Sequence, residues 1–413
     1  MSNIDLCATP GLVPLQVAVD TMLAYVSPLS EYETLALSLA YKRVLADDIY
    51  AAINVPPADN SAMDGYALRF GDPDRYPALE LIGTALAGQP FNGQVGPGQC
   101  VRIMTGAILP DGADTVVMQE NTTVNGERIN ITVCPAMADN VRRAGEDITA
   151  GERVLSKGTV LGAAHLALLA SLGMADVTVT RRLRVGIVAT GDELTPAGQP
   201  LAPGAIYESN SYALQAKLQD LAVEVLNYGI VNDQPDLLSA CFRRADSECD
   251  LLISCGGVSV GDADYVKQVL SESGQINFWQ VAIKPGKPFA FGQLSQALFC
   301  GLPGNPVSSY VTFEQLVLPL IKRLSGQSVT SSLPAYLLAT ACAPIRKRPG
   351  RADFQRGWCT QDADGQWQVS PQGNQSSGVM SSITRANCYL LLDRQQGDVA
   401  AGETVKILPF AFI

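Results

Sequence analysis

The run Ser254-Cys255-Gly256-Gly257-Val258-Ser259-Val260-Gly261-Asp262-Ala263-Asp264-Tyr265 has the composition of an oxyanion cradle. Its glycines let the chain turn sharply and bring main-chain N–H groups to one point, and the helix start that follows adds a positive dipole end. Ser259 contributes a hydroxyl. Asp262 and Asp264 follow at once and would repel a phosphate unless a hard cation such as Mg2+ lay between, so the same loop points to a metal. The pattern is neither the dinucleotide fingerprint nor a Walker loop, and an ordinary glycine-rich strand-to-helix turn is the plain alternative.

Leu302-Pro303-Gly304-Asn305-Pro306-Val307-Ser308-Ser309 offers a second helix start, with Asn305 as cap and Pro306 in the first turn. Two such termini at one sheet edge could hold one extended anion, although plain capping accounts for this segment equally well. Lys284-Pro285-Gly286-Lys287-Pro288 presents two lysines from a backbone stiffened by proline, which suits a dianion. Asp192, Glu193, Asp233, Asp262 and Asp264 all fall just past predicted strand ends. In a parallel sheet those ends share one rim, where carboxylates could hold a Mg2+ that keeps part of its water shell. Each alone is more often a cap or a turn residue.

Other polar clusters discriminate less. Asp59-Asn60-Ser61-Ala62-Met63-Asp64-Gly65-Tyr66-Ala67 carries two carboxylates in residue types that also favour turns. Arg346, Lys347, Arg348, Arg351 and Arg356 gather around Pro349-Gly350. Guanidinium forks recognise oxyanions, and a solvated edge strand is at least as common a reason for such a cluster. Arg142-Arg143-Ala144-Gly145-Glu146-Asp147 is equally ambiguous. Imidazole chemistry is nearly closed off, because the one histidine, His165, lies in an apolar run that reads as a packed helix. The 10 cysteines include no C-x-x-C pair, which removes zinc-ribbon and thioredoxin-like motifs.

Periodicity gives the elements that must position these groups. A chain of 413 residues is long for one domain, typically about 150 residues. From 181 to 328 strand and helix alternate: the run 184–189, a helix over 211–221, a strand over 223–231, a helix over 235–244, and strands at 250–254 and 297–301. Strands that read as continuous apolar runs predict a doubly wound, mostly parallel α/β sheet with its ligand crevice at the carboxyl ends. Residues 51–140 are short runs broken by turns, a β-rich unit inserted between the two pieces, 1–50 and 141–180, of one connecting domain. Residues 329–413 alternate polar and apolar, as in a small β-barrel. The class is therefore α/β plus β, multidomain. A net charge of −11 argues against a basic face for nucleic acid or for an anionic membrane. No segment persuasively spans a bilayer and the start lacks a basic signal-peptide region, so a soluble, cytoplasmic protein is expected.

The segments 59–66, Arg102-Ile103-Met104-Thr105-Gly106-Ala107, 143–147, Thr190-Gly191-Asp192-Glu193-Leu194, 254–261, Ile283-Lys284-Pro285-Gly286-Lys287-Pro288 and 301–306 together resemble the molybdopterin molybdenumtransferase family, related to the E domain of gephyrin. The resemblance covers nearly the whole chain. It implies four domains and an elongated homodimer in which one subunit's β-rich insertion faces the other's sheet domain. It also implies a reaction, adenylylated molybdopterin plus molybdate giving molybdenum cofactor and AMP, with Mg2+ as cofactor and the upstream molybdopterin adenylyltransferase as a partner. Carried onto this sequence, Asp59, Glu193, Asp233, Asp264 and Lys284 match positions tied to activity, with Glu193, Asp233 and Asp264 as the metal set. Around the substrate the resemblance places Thr105, Asp147, Gly256, Gly257, Ser259, Gly261, Lys287, Pro303, Gly304, Asn305, Pro306 and Arg351, with Ser376 or Ser377 near an oxyanion region. Gln280 stands where a lysine is often found, so any charge it would have given must come from elsewhere. A gephyrin-like scaffold is a second reading, weakened by the lack of a linker and extra domain. A molybdopterin adenylyltransferase is a third, and the extra β domains argue against it.

Overall fold

The computed structural model describes residues 11–257, 274–328 and 335–410. At its centre a six-stranded sheet runs in the order Val223–Val231, Leu183–Thr190, Leu251–Cys255, Leu298–Leu302, Pro288–Gln293, Gln275–Gln280. The first four strands run parallel, Pro288–Gln293 runs against them and Gln275–Gln280 pairs antiparallel with it, so the expected mostly parallel sheet carries antiparallel pairing at one edge. Leu251–Cys255 is buried along its whole length, as expected for a strand covered on both faces. Alternation along Leu183–Thr190 sorts the two covers. Val185 and Ile187 share a core with Leu214 and Leu218 of the helix Asn210–Gln219. Val188 packs instead with Leu238, Phe242 and Ala245 of the helix Pro235–Glu248.

The helix Leu15–Tyr25, which sequence reading groups with the connecting unit, buries Ala18, Val19 and Met22 in the sheet-domain core beside Leu320 and Ile321. The rest of the connecting unit is built by strands from both ends of the insertion. Tyr32–Ala36 pairs antiparallel with Asp176–Thr180, and Ile49–Tyr50 with Arg153–Leu155. His165 is a local structural group there: its Nδ1 accepts the Gly162 N–H at 3.1 Å, at the start of the helix Ala163–Ser171. The insertion is a mixed six-stranded sheet with apolar residues on both faces, Ala67, Val101 and Val116 on one and Tyr66, Leu68 and Val117 on the other.

In the C-terminal unit the strands Ala352–Gln361, Trp367–Pro371, Leu337–Ala341, Thr404–Pro409 and Cys388–Leu392 follow one another, and the last pairs back onto the first to close a barrel-like sheet. Ile283–Lys284 joins it as a parallel partner of Ala352-Asp353, stitching the barrel to the lysine loop. Among the described residues no helix is long and apolar enough to cross a membrane.

Candidate functional site

A cleft of about 610 Å³ opens at the carboxyl ends of the parallel strands. Its floor is Thr190 and Gly191 at the end of one strand and Gly256 and Gly257 at the end of the next, with Pro303 to Pro306 beyond the third. Glycine is required at position 256. Its φ is +103°, and a Cβ there would lie 2.6 Å from the Thr190 carbonyl oxygen. The Gly256 N–H donates to the Leu302 carbonyl at 3.0 Å, which draws the glycine turn and the Pro303–Pro306 loop together. Thr190 is 4% exposed and its hydroxyl has no hydrogen-bond partner among the described residues, so a donor and acceptor is left at the cleft floor.

Two of the expected carboxylates, Glu193 and Asp233, line this cleft. The neighbouring Asp192 does structural work: its Oδ1 accepts the Asp233 N–H and the Asn232 Nδ2–H, each at 3.1 Å. Burial pushes the Asp233 carboxyl up from the ordinary aspartate value, and the charges of Asp192 and Glu193 push it further. Like charges are thus collected in one corner of the cleft. Among the described residues no group of three His, Cys, Asp or Glu side chains forms a ready metal cage. Ser259, Gly261, Asp262 and Asp264 lie outside the described residues.

The C-terminal barrel closes the cleft from the side. Gly378 lines it, the Ser377 carbonyl accepts the Val307 N–H at 3.0 Å, and Asn305 Nδ2 lies 3.3 Å from Ser377 Oγ. One amide at the start of the helix Pro306–Thr312 is therefore already taken by the barrel. The arginine that holds this loop is Arg356. Arg356 is wholly buried, with Nη2 at 3.3 Å from the carbonyls of Asn374 and Ser376 and Nε at 3.0 Å from Ser382 Oγ. Arg351 is half-buried and does not line the cleft. Lys284 and Lys287 do not line it either. Lys284 Nζ bonds Asp353 Oδ2 of the barrel at 2.9 Å, a carboxylate only 3% exposed, while Lys287 is exposed.

A second polar cluster sits in the insertion. Asp59 accepts the Ala144 N–H at 2.8 Å and pairs with Arg143 at 2.5 Å, and these contacts hold its carboxyl below the usual range. Thr105 donates its N–H and hydroxyl to Asp64 Oδ1 at 2.8 and 2.7 Å, which lowers Asp64 in the same way. Asp147 is exposed on the returning piece of the connecting unit. None of Asp59, Thr105 and Asp147 lines the cleft of its own chain.

Sequence reasoning missed several cleft residues. Ile206 and Tyr207 form one wall, and Asn210 Nδ2 donates to the Gly304 carbonyl at 2.8 Å. Glu208, 6% exposed, accepts the Ser211 N–H at 2.8 Å and so caps the helix Asn210–Gln219. The available signal was Glu208-Ser209-Asn210 just before a helical pattern, which reads only as capping. A larger hollow of about 800 Å³ is lined by Arg43, Arg181 and Glu31, whose charges are already paired, Arg43 with Glu33 and Arg181 with Glu31 and Asp250.

Comparison with known proteins gives the same organisation. Residues 13–173 match the MoeA N-terminal region (domain I and II), 186–323 a probable molybdopterin binding domain, and 339–410 the MoeA C-terminal region (domain IV). The chain is 46% identical over 382 residues to the molybdopterin molybdenumtransferase of Haemophilus influenzae, covering 92% of this chain and 94% of that one. It is 36% identical over 386 residues to the enzyme of the same name from Nostoc, covering 91% and 88%. Among solved structures, the molybdopterin biosynthesis MoeA protein of Pyrococcus horikoshii superposes with a TM-score of 0.84 at 29% identity, over 97% of this chain and 100% of that chain. In sequence and in fold, this chain belongs to the MoeA family.

Proposed function

We propose that this protein is a molybdopterin molybdenumtransferase that takes adenylylated molybdopterin and molybdate, releases AMP and yields molybdenum cofactor, with Mg2+ as its cofactor. The observation that carries the reading is the cleft itself, where Glu193 and Asp233 face glycine and proline loops at the strand ends. Main-chain N–H groups of those loops bind the phosphates, and the unpartnered Thr190 hydroxyl supplies one more bond. The donor set fits Mg2+, which commonly takes one or two carboxylates plus substrate phosphates and keeps several waters. Glu193 and Asp233 would hold it, since a cation relieves the repulsion that raises Asp233. When bound, Mg2+ neutralises phosphate charge as the phosphoanhydride is cleaved. Lys284, fixed by Asp353, and the basic groups of the barrel would hold the molybdate dianion. Molybdopterin brings its own sulfur ligands, so the protein has no need of imidazole or thiolate.

Asp59, Thr105 and Asp147 stand away from the cleft of their own chain, which favours a homodimer whose second subunit brings them to it. The upstream adenylyltransferase is the natural donor of the substrate. Supplying adenylylated molybdopterin, Mg2+ and molybdate tests the reading: AMP release and activation of an apo-molybdoenzyme are expected. Absence of both refutes it. Mixing Asp59→Ala with Glu193→Ala subunits tests the dimer, because mixed dimers regain one intact cleft if the two residues come from different chains.

A further inference from the structure

We propose that the cleft wall at Ile206 and Tyr207, with the Pro303–Pro306 loop that lines the same cleft, receives a flat heteroaromatic ring of the substrate. The inference rests on the functional reading above and adds which residues receive the ring rather than the phosphates. Ile206 is 56% and Tyr207 47% exposed although both line the cleft. Successive strand side chains point to opposite faces, so one ring meets only one of the two, and Tyr207 offers the aromatic face; Leu194, Pro303 and Pro306 add apolar surface to the same cleft. The wall is rigid. Leu194-Thr195 pairs in parallel with Ile206-Tyr207, and the Tyr207 hydroxyl donates to the Gln199 carbonyl at 2.9 Å, which fixes the ring from its far end. Asn210 Nδ2 holds the Pro303–Pro306 loop at the Gly304 carbonyl, 2.8 Å away. A planar ring with polar edges can stack against this wall while its phosphate reaches the Gly256–Gly257 turn. Adenine and pterin share this chemistry, and both occur in the substrate.

Titration calorimetry of the full chain and its Tyr207→Ala and Tyr207→Phe variants in Mg2+ buffer separates the cases. The probes are AMP, a pterin carboxylic acid and inorganic pyrophosphate, which has no ring. Tyr207→Ala is expected to weaken AMP or the pterin roughly tenfold, the loss typical of a stacked base. The ligand that weakens identifies the ring at this wall. Tyr207→Phe keeps most of the affinity, and pyrophosphate binding is unchanged in both variants. Unchanged affinity for AMP and pterin in Tyr207→Ala overturns the proposal. An equal loss for pyrophosphate overturns it too, because Tyr207 would then act through the fold. If the unaltered protein binds neither ring compound, the functional reading itself fails.

Discussion

Replacing Gly256 with alanine puts a number on the close approach that builds the cleft floor. The backbone there has φ +103°, in the left-handed region, where a residue with a Cβ is strained by about 1–3 kcal/mol. The new Cβ would also meet the Thr190 carbonyl oxygen at 2.6 Å and its hydroxyl at 3.1 Å. That carbonyl belongs to the end of a buried strand and cannot rotate aside as a side chain would, so overpacking adds roughly 1–3 kcal/mol. The sum centres near about 4 kcal/mol, which lowers the melting transition of a domain this size by roughly 8–16 °C. Displacing the turn by about an ångström also misplaces the phosphate, and turnover falls about 100-fold. Differential scanning calorimetry and AMP release on the same preparation read both quantities. A transition within about 2 °C of the parent and turnover within about twofold would refute the packing argument for this turn.

Asp233→Asn removes one carboxylate from the cleft, and AMP release is expected to drop at least about 100-fold with a weakened response to added Mg2+. An undiminished Mg2+ titration would remove Asp233 from the metal-holding pair. Asp59 has its pKa lowered first by the Ala144 N–H and then by Arg143, so its contribution to stability is complete above the unfolded aspartate value and is lost as pH falls through the lowered folded value. Urea midpoints of the parent and Asp59→Asn should therefore differ by a constant amount at neutral pH and converge in acid; a gap that persists in acid contradicts this. Glu314 links the sheet domain to the barrel, accepting from Lys217 at 2.5 Å and from the Tyr389 hydroxyl at 2.8 Å. Glu314→Gln should cost about 2–3 kcal/mol, less than a fully buried pair because the Lys217 side chain is 26% exposed. Tyr389→Phe should cost about 1 kcal/mol, and equal losses in the two variants would show that the charge is immaterial.

The parts of the fold written locally were legible. The runs at 184–189 and 250–254 marked the buried strands that the structure places at Leu183–Thr190 and Leu251–Cys255, and Pro235 marked a helix start that the structure places at that residue. Glu193, Asp233, Gly256, Gly257 and the Pro303–Pro306 loop reach one cleft because parallel strands deliver their carboxyl ends to one rim. Contacts between distant segments left no local trace. Lys284 finds its partner in Asp353, and Asn210 meets Gly304, each across a gap no periodicity reports. Arg351 and Arg356 share one basic stretch, and nothing local says which is buried; Arg356 is the one packed beneath the loop that carries Asn374 and Ser376. The helix Leu15–Tyr25 buries Ala18, Val19 and Met22, and nothing in its own residues says that the sheet domain is what they cover.

On the proposed function, this cleft couples cleavage of the phosphoanhydride to transfer of molybdenum. The most direct measurement is the amount of AMP released and the amount of molybdenum bound to molybdopterin in one reaction with limiting adenylylated substrate. Equal amounts of the two are expected, both requiring molybdate and both lost together in Glu193→Gln. Release of AMP without molybdenum transfer, or transfer without AMP, would contradict it.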